Sequence, residues 1–214
     1  MVSGEFFGWK DNFRSQKVLV VAKYSGQNVA LQENFRLSDF SLGSVPALEV
    51  KSANGDKKFL EKSAAIAYFF ADENLKGGKN ELNQAEVLQW LFWGEEDLLP
   101  AIFNHVFPIL GLMPAKKNEK SEIFPVLEKL NKVLKLKTFL VGERISLADI
   151  SLSLNLVLLF ERGLLKEDRE KFPYLLRWFE TIIHQKNVQD VIGEIKFCQQ
   201  LKSLDPEQVQ AKGF

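Results

Sequence analysis

The chain has 214 residues, of which 46% are hydrophobic, and its 28 basic and 28 acidic residues give a formal net charge of +0. This length and apolar content suit one large domain or two small ones. The balanced charge favours neither nucleic acid nor an anionic membrane as a partner, and no apolar run reaches the length that spans a bilayer. We therefore expect no direct nucleic-acid contact and no membrane association.

Cysteine and histidine are too scarce to build a disulfide or a metal cluster. Cys198 is the single cysteine, and His105 and His184 are the only histidines in the sequence. One cysteine cannot form an internal disulfide, and such a chain is typical of a reducing compartment. We expect no bound metal, a cytoplasmic location, and a Cys198 side chain that packs in the interior.

The first third of the chain alternates between strand and helix patterns. A short strand is expected within residues 2–7. A helix over residues 13–24 follows it. Asp11 or Asn12 is expected to cap that helix, and Gly26 lies where helices commonly end.

Further strands and one helix complete this part of the chain. The order of the patterns predicts a thioredoxin-like α/β domain over residues 1–77, because a strand–helix–strand unit pairs its strands in parallel whereas a hairpin pairs them antiparallel. The expected segments are an extended piece at 28–31, an irregular or short helical piece at 35–42, strands at 47–50 and 58–60 around an Asn54-Gly55 hairpin turn, and a helix that Ser63 caps.

Beyond a glycine-containing linker at residues 76–79 the patterns are almost entirely helical. We therefore expect an all-helical domain over residues 82–204 and a tail over residues 205–214. The predicted fold class is thus an α/β domain followed by an all-α domain.

One long helix should open the second domain. It is expected to run from Asn83 to about Leu112, to bend at Pro100, and to end by Pro108 or Gly111, since proline disrupts a helix interior and glycine suits a helix end. The remaining expected segments are a charged loop at 115–120 and helices at 123–136, 146–162, 173–185 and 188–195.

The helix over residues 146–162 has the clearest start pattern in the chain. Ser146 is a good N-cap, and Asp149 stands three residues later, where its carboxylate can reach back to the cap amide. Gly142 permits a turn just before this capping box. The helix is apolar on nearly all sides, which predicts a central, buried position.

These features together resemble the cytosolic glutathione transferases, which join a small thioredoxin-like domain to a helical one. The run 44–48 is similar to the turn of that family that contains a cis proline, here Pro46, and that aims the backbone of Val45 at the cysteinyl main chain of glutathione. The run 62–66 resembles the segment that holds the γ-glutamyl end of glutathione at a helix N-terminus. The resemblance implies the glutathione-pocket positions Asn12, Val45, Pro46, Lys62 and Ser63, and the fold-defining positions Pro46, Gly142, Ser146 and Asp149.

A closer resemblance exists to the gamma-subunit family of eukaryotic translation elongation factor 1. Several runs carry it, and they are more specific than a capping box. Members of that family normally have a further lysine-rich linker and a carboxy-terminal domain, so we expect this chain to correspond to the amino-terminal region or to a shortened relative. The runs are residues 11–14, 24–26, 86–90, 97–100, 106–111, 137–144, 177–179 and 193–198.

The closer resemblance implies a scaffold rather than an enzyme. Its expected partners are the exchange-factor subunits of the elongation factor 1 complex, bound through protein–protein contacts to the nucleotide-exchange subunit. The chain has no GxxxxGK[ST] loop, so no GTP site is expected. A homodimer is compatible with the resemblance, because transferases pair the first domain of one subunit with the long helices of the other. The candidate residues for such a surface are Trp90, Phe92, Trp93, Glu95, Glu96 and Asp97. The alternative is that these aromatic residues pack in the core and that the acidic residues form a solvated face.

A catalytic role has one weak candidate. Transferases lower the thiol pKa of glutathione with a hydroxyl or a similar donor. The first strand ends instead in Phe6 and Phe7, which offer no donor. Asn12 occupies the alternative position just before the first helix, and an amide is a poor activator of a thiol.

Two binding positions also depart from the transferase pattern. Ser44 replaces a lysine that would meet the glycyl carboxylate through a charge-assisted bond of about 1.5–3 kcal/mol. Lys62 replaces an acidic residue and should repel the α-ammonium of glutathione, and Glu61 would have to shift to compensate. We therefore expect no required cofactor, keep glutathione as an allowed ligand, and favour a non-catalytic or weakly catalytic scaffold.

Two alternative functions stay open at this point. The first is a glutathione transferase that conjugates glutathione to electrophiles, with Asn12 beside a cis-proline pocket. The second is a docking module of a tRNA synthetase assembly. Thiol-dependent turnover would indicate the enzyme, whereas glutathione-insensitive partner binding would indicate either scaffold.

Overall fold

A mixed sheet forms the amino-terminal part of the computed structural model, which describes residues 5–51, 54, 56–114 and 122–203. Its strands are β1 (Phe6–Phe7), β2 (Leu31–Gln32), β3 (Ala47–Lys51) and β4 (Lys57–Glu61). Their order is β2-β1-β3-β4, with β1 and β2 parallel and the β1–β3 and β3–β4 pairs antiparallel. The predicted parallel unit and antiparallel hairpin are therefore both confirmed.

Helices make up nearly all of the carboxy-terminal part. The predicted fold, an α/β domain followed by helices, is confirmed. The helices are α1 (Phe13–Tyr24), α2 (Ser63–Phe70), α3 (Glu81–Trp93), α4 (Leu99–Leu110), α5 (Ile123–Leu134), α6 (Leu147–Arg162), α7 (Lys166–Arg169), α8 (Pro173–Ile183) and α9 (Lys186–Ile192), with a 3-10 turn at Leu37–Asp39 and a π turn at Gly94–Leu98.

The two faces of the sheet pack differently. Phe6 and Leu48 are paired across β1 and β3, and both side chains are buried in the main core with residues of α1 and α2. Phe7 points to the opposite face, because side chains alternate along a strand. There its ring lies 5.4 Å from the ring of Phe40, which in turn lies 5.3 Å from that of Phe59. A loop rather than a helix thus covers this second face.

Helix α6 is the central helix, as predicted. Most of its side chains are buried, including the polar side chains of Ser151, Ser153 and Asn155. It contacts α1, α3, α4 and α8, so it joins the helical part to the first domain. A helix that is apolar on all sides is stable only in such a position.

Helices α5 and α8 cap each other across a long sequence separation. The Asn131 Oδ1 of α5 accepts bonds from the Tyr174 and Leu175 amides at 3.0 and 3.1 Å, at the start of α8. The Arg177 Nη2 of α8 donates to the Leu134 and Lys137 carbonyls at 2.8 and 2.9 Å, at the end of α5. Orphan backbone groups at both helix ends are satisfied in this way.

The long helix begins earlier than predicted, contains an unpredicted π turn, and ends at Gly111, which was one of its two predicted ends. It begins at Glu81 rather than Asn83, because the Asn80 side chain accepts the first-turn amides of Leu82 and Asn83. It continues through Pro108 and ends at Gly111, whose φ of 77° lies in the left-handed region.

The middle of the long helix contains the π turn, just before Pro100. The Leu99 amide donates to the Gly94 carbonyl, five residues back. A Cβ at position 94 would lie 2.9 Å from the Leu152 Cδ1, so a larger residue there would require the Leu152 side chain to shift. The Asn155 Nδ2 also donates to the Gly94 carbonyl at 3.2 Å, which fixes α6 against the π turn.

Several other predictions need correction or fall outside the described residues. Ser63 does not cap α2: it is the first helical residue, and Lys62 is the N-cap. The short helix α7 was not predicted, and α9 begins and ends earlier than residues 188–195. Gly55 of the predicted Asn54-Gly55 turn lies outside the described residues. The predicted charged loop at 115–120 and the predicted tail at 205–214 also lie outside them.

Cys198 is buried, as predicted from its sequence context. Its amide donates to the Phe160 carbonyl at 2.8 Å, and its carbonyl accepts from the Arg169 Nη1 at 2.9 Å. The same Arg169 nitrogen donates to the Leu164 carbonyl at 2.6 Å. This buried arginine therefore ties the segment after α9 to the end of α6.

Within the described part of the chain, no helix is long and apolar enough to cross a membrane. The same residues contain no group of three or more His, Cys, Asp or Glu side chains placed to hold a metal ion.

The capping box at the start of α6 is confirmed, and its acid has additional partners. The Asp149 Oδ2 accepts from the Ser146 amide at 2.9 Å and from the Ser146 hydroxyl at 2.6 Å. The Asp149 Oδ1 accepts from the Leu140 amide and from the Trp178 indole N–H, both at 2.8 Å. Burial raises the pKa of the Asp149 carboxyl, and these four donors oppose that effect.

Replacing Asp149 with alanine should lower the free energy of unfolding by about 3–5 kcal/mol, because it leaves several buried donors without an acceptor. Urea unfolding followed by circular dichroism measures this loss. Ser153→Ala is the matched control on the same helix, since the buried Ser153 hydroxyl donates only to the Ile150 carbonyl at 3.1 Å. Its expected loss is below about 1.5 kcal/mol, and equal losses in the two variants would contradict the role given to Asp149.

Candidate functional site

Two neighbouring cavities lie where α1 meets the helical part. The larger cavity has a volume of about 720 Å³, and the smaller has a volume of about 330 Å³. Arg14 lines both of them. The larger is lined by Arg14, Ser44, Val45, Lys62, Ser63, Ala64, Ala65, Tyr68, Leu88, Leu91, Phe92 and Glu95.

The larger cavity brings together three of the residues predicted from the sequence. Val45, Lys62 and Ser63 line it, and the Val45-Pro46 peptide bond is cis, as the resemblance implies. Asn12 instead lines the smaller cavity, among apolar side chains such as Phe103 and Phe107. Its Oδ1 accepts from the Arg14 amide at 2.9 Å, so the side chain caps α1.

Glu61 faces away from the larger cavity. Its two carboxylate oxygens accept from the Leu42 amide at 2.9 and 3.0 Å, and the Ser44 hydroxyl lies 3.4 Å from one of them. These bonds hold the loop before the cis peptide. Position 62 lacks the acidic residue of the transferase pattern. Glu61 does not take its place, because its carboxylate is bound to the Leu42 amide.

Lys62 has an unusual backbone conformation at the edge of this cavity. Its φ of 72° is the only positive value among the described residues other than glycine. Such a conformation costs about 1–3 kcal/mol in a non-glycine residue and persists where the surroundings enforce it. The conformation places the start of α2, at Ser63, on the cavity wall.

Arg14 lies between the two cavities and stacks on aromatic rings. Its guanidinium carbon is 4.6 Å from the centroid of the Phe13 ring and 5.6 Å from that of the Phe103 ring. Burial lowers the pKa of the Arg14 guanidinium, and the nearby Glu95 carboxylate opposes this effect. Arg14 is thus a positioned, permanently charged group.

An ion pair between Lys17 and Glu95 connects α1 to the π turn. The Lys17 Nζ lies 2.8 Å from the Glu95 Oε1, and Lys17 is fully buried whereas the Glu95 side chain is 32% exposed. Burial lowers the pKa of the Lys17 ammonium, and Glu95 raises it. The Glu95 charge that borders the larger cavity is therefore already neutralised.

The sequence reasoning missed Lys17. A signal was present, because Lys17 stands in an otherwise apolar helical stripe with Phe13, Val20 and Val21. A lysine in such a stripe indicates a buried charge that needs a partner. Its partner lies 78 positions away, so the sequence could not identify it.

The larger cavity offers polar groups that could contact a ligand. The polar groups around the larger cavity are two cations, hydroxyl groups and one paired carboxylate. The Oδ1 of Asn12, the candidate activator of a thiol, accepts the Arg14 amide in the helix cap, and Asn12 lines the smaller cavity. Phe6 and Phe7 occupy β1, where another transferase solution would place a tyrosine.

Comparison with known proteins identifies similar proteins over nearly the whole chain. Residues 98–186 match the family model for the glutathione S-transferase C-terminal domain. The chain is 41% identical over 219 residues to elongation factor 1-gamma of Drosophila melanogaster and 36% identical over 223 residues to elongation factor 1-gamma of Homo sapiens. The chain is a homologue of elongation factor 1-gamma. These alignments cover 97% and 96% of the chain, and the chain spans about half the length of the curated relatives it matches.

Solved structures agree with the relationship to elongation factor 1-gamma. The GST-like domain of elongation factor 1-gamma from Saccharomyces cerevisiae superposes with a TM-score of 0.79 at 26% identity, over 96% of this chain and 100% of that one. A delta-class glutathione transferase from Nilaparvata lugens superposes with a TM-score of 0.72 at 19% identity, over 88% of this chain and 92% of that one. The second match shows the shared fold alone.

The Lys17–Glu95 pair should respond asymmetrically to mutation. Glu95→Gln leaves a buried ammonium without a counter-charge and should cost about 3–5 kcal/mol of unfolding free energy. Lys17→Met removes the buried charge and leaves a hydrated carboxylate, so its expected cost is about 1 kcal/mol or less. Denaturant unfolding of both variants measures the difference, and a larger loss for Lys17→Met would contradict this account.

The same pair predicts a pH dependence with a definite sign. Without Glu95, the pKa of Lys17 falls further below its unfolded value of about 10.4, so the unfolded state binds more protons than the native state in that range. The stability of Glu95→Gln should therefore rise from neutral pH towards about pH 10. The double variant Lys17→Met/Glu95→Gln controls for other titrating groups and should lack this rise.

Proposed function

We propose that this chain acts as a non-catalytic scaffold in a translation elongation factor 1 complex in the cytoplasm. In this role it binds the guanine-nucleotide-exchange subunit through protein–protein contacts. The observation that carries the proposal is the 41% identity to elongation factor 1-gamma over 97% of the chain. The superposition on the yeast GST-like domain supports the same assignment.

The cavity geometry supports a scaffold over a transferase. Asn12 caps α1 and lines the smaller cavity, whereas Val45, Lys62 and Ser63 line the larger one. Glu61 holds the loop at Leu42 and does not supply the missing acid. The groups that would bind glutathione and the candidate that would activate its thiol are therefore divided between two cavities.

Mixing the purified chain with a purified nucleotide-exchange subunit tests the scaffold proposal. We expect the two proteins to co-elute in size-exclusion chromatography and their affinity, measured by calorimetry, to be unchanged by millimolar glutathione. Parallel assays with glutathione and generic electrophiles should show no turnover above the uncatalysed rate. Robust turnover, or capture of tRNA synthetases in place of exchange-factor subunits, would contradict the proposal.

We further propose that two copies of the chain pair through α3. Phe92 is 61% exposed and Leu88 is 36% exposed, one turn apart on that helix. Glu96 and Asp97 are exposed just beyond them, while Lys58 is exposed on β4 of the first domain. A twofold arrangement that sets α3 of one copy against the first domain of the other would bury the apolar pair and match opposite charges.

Sedimentation velocity at several concentrations measures this association. Phe92→Ser should weaken the dimer by about tenfold or more, because an exposed aromatic at the centre of an interface contributes strongly to binding. Leu136→Ser is the control, since Leu136 is 92% exposed and lies beyond the end of α5, away from α3. A wild-type chain that stays monomeric at high concentration would refute the pairing.

A further inference from the structure

Leu136 is the most exposed large apolar side chain among the described residues. Its exposed fraction is 92%, whereas the next values are 67% for Leu82 and 62% for Leu42. Leu136 lies two residues beyond the last residue of α5, and Lys135 between them still has a right-handed helical conformation. Leu136 therefore continues the solvent face of α5, on which positions 132 and 129 lie one and two turns before it.

Hydrogen bonds from another helix hold the backbone on both sides of Leu136. The Arg177 Nη2 of α8 donates to the Leu134 and Lys137 carbonyls at 2.8 and 2.9 Å. The Lys137 Nζ also donates to the Leu140 carbonyl at 3.2 Å. An apolar side chain that is presented on a fixed backbone has little conformational freedom left to lose on binding, which suits it to anchor an interface.

The segment around Leu136 is strongly basic. Four lysines and no acidic residue occur between positions 129 and 137, although the whole chain has a net charge of +0. Among the described residues the one carboxylate paired with them is that of Glu128, 3.6 Å from the Lys132 Nζ, and this pair is largely exposed. We call Leu136 and these lysines the α5 surface. The lysines, all exposed, are Lys129, Lys132, Lys135 and Lys137.

Stabilisation of the helix end accounts for only part of this charge. Basic residues favour a helix C-terminus, but the effect is confined to the last turn. Lys129 lies five residues before the last residue of α5, Leu134, and is therefore outside that range. The Leu134 carbonyl already accepts from Arg177. The α5 surface thus has more positive charge than its own helix uses.

This combination of an apolar anchor and a basic rim suits an acidic protein surface. Single-stranded RNA is bound by stacking its bases on aromatic side chains, and the α5 surface has none. Stable membrane anchoring normally needs a whole lipid chain beside a basic patch, and Leu136 offers far less apolar area. An acidic amphipathic helix supplies both complementary parts, because its carboxylates match the lysines and its apolar stripe can bury Leu136.

We propose that the α5 surface docks an acidic amphipathic helix of another protein. Leu136 packs between apolar side chains of that helix, while Lys132 and Lys135 meet its carboxylates. The proposal goes beyond the scaffold role, since it assigns a chemical class of partner to one surface. Docking of such a helix can fail while an exchange-factor subunit still binds elsewhere on the chain, so the two proposals are tested separately.

Fluorescence anisotropy of a labelled synthetic helix measures docking to the whole chain. The probe peptide has a stripe of leucines at helical spacing with glutamates on both flanks. Two matched peptides have alanine in place of the leucines or glutamine in place of the glutamates, and each should bind about tenfold more weakly. No saturable binding of the probe at about 0.5 mM protein, or equal binding of the three peptides, would overturn the proposal.

Leu136→Ser tests the apolar anchor. It should weaken binding of the probe by about tenfold, because it removes the side chain that the leucine stripe buries. Leu42→Ser is the matched control, since Leu42 is 62% exposed but lies in the first domain. The control should keep the wild-type affinity, and an equal loss in the two variants would overturn the role given to Leu136.

Lys132→Gln/Lys135→Gln tests the basic rim. It should weaken binding of the probe by about tenfold and reduce the salt dependence of the affinity, because two charge contacts are lost. Lys51→Gln/Lys58→Gln removes the same charge from exposed positions on β3 and β4 and should bind as the wild type does. Equal losses in the two double variants would indicate a non-specific charge effect and overturn the docking surface.

Two further probes separate the helix from other anionic partners. They are a single-stranded RNA oligonucleotide and phosphatidylcholine vesicles that contain about 20% phosphatidylserine. Neither should bind as tightly as the glutamate–leucine peptide. Tighter binding of either one, lost in Lys132→Gln/Lys135→Gln, would assign the α5 surface to that partner and overturn the proposal.

Discussion

The Asp149 carboxylate holds together three segments that are distant in sequence. Its oxygens accept from the Leu140 amide in the preceding loop, from Ser146 at the start of α6, and from the Trp178 indole in α8. A buried carboxylate is tolerated only when its hydrogen-bonding capacity is used in this way. Because α6 also contacts α1, α3 and α4, the position of this one helix start determines how the two parts of the fold meet.

The sequence predicted the elements whose cause is local. The cap of α1, predicted as Asp11 or Asn12 and found at Asn12, and the Ser146 capping box both follow from residues within one helical turn. The strand order follows from a strand–helix–strand unit and one hairpin. It did not predict features whose partners are far away in the chain. The cap that Asn131 provides for α8 spans 43 positions, and the short helix α7 has no strong periodic pattern. Ser63 was misplaced as a cap because Lys62 adopts a positive φ that no sequence rule assigns to lysine.

The candidate site shows how a shared fold can retain a cavity while its chemistry changes. The cis peptide at Val45 and the start of α2 at Ser63, which no side chain caps, keep the shape that the sequence resemblance implied. The charges are different, because Lys62 borders the cavity and Glu61 holds the loop. Sequence comparison identified these substitutions, but only the coordinates show where Glu61 points and that Arg14 and Glu95 lie on the cavity wall. Fold similarity alone therefore does not transfer a ligand.

The π turn has a consequence for the tolerance of the long helix to insertions and deletions. A π turn contains one residue more than the α-helical turn it replaces, so deleting a residue between Gly94 and Leu98 would restore regular α-helical bonding. Every later residue of α4 would then rotate by about 100° relative to α3. Buried side chains such as Ile102 and Val106 would face away from the core, although the helix itself would be more regular. The extra residue of the π turn thus sets the rotation of α4 relative to α3, so that the buried side chains of both helices face the core.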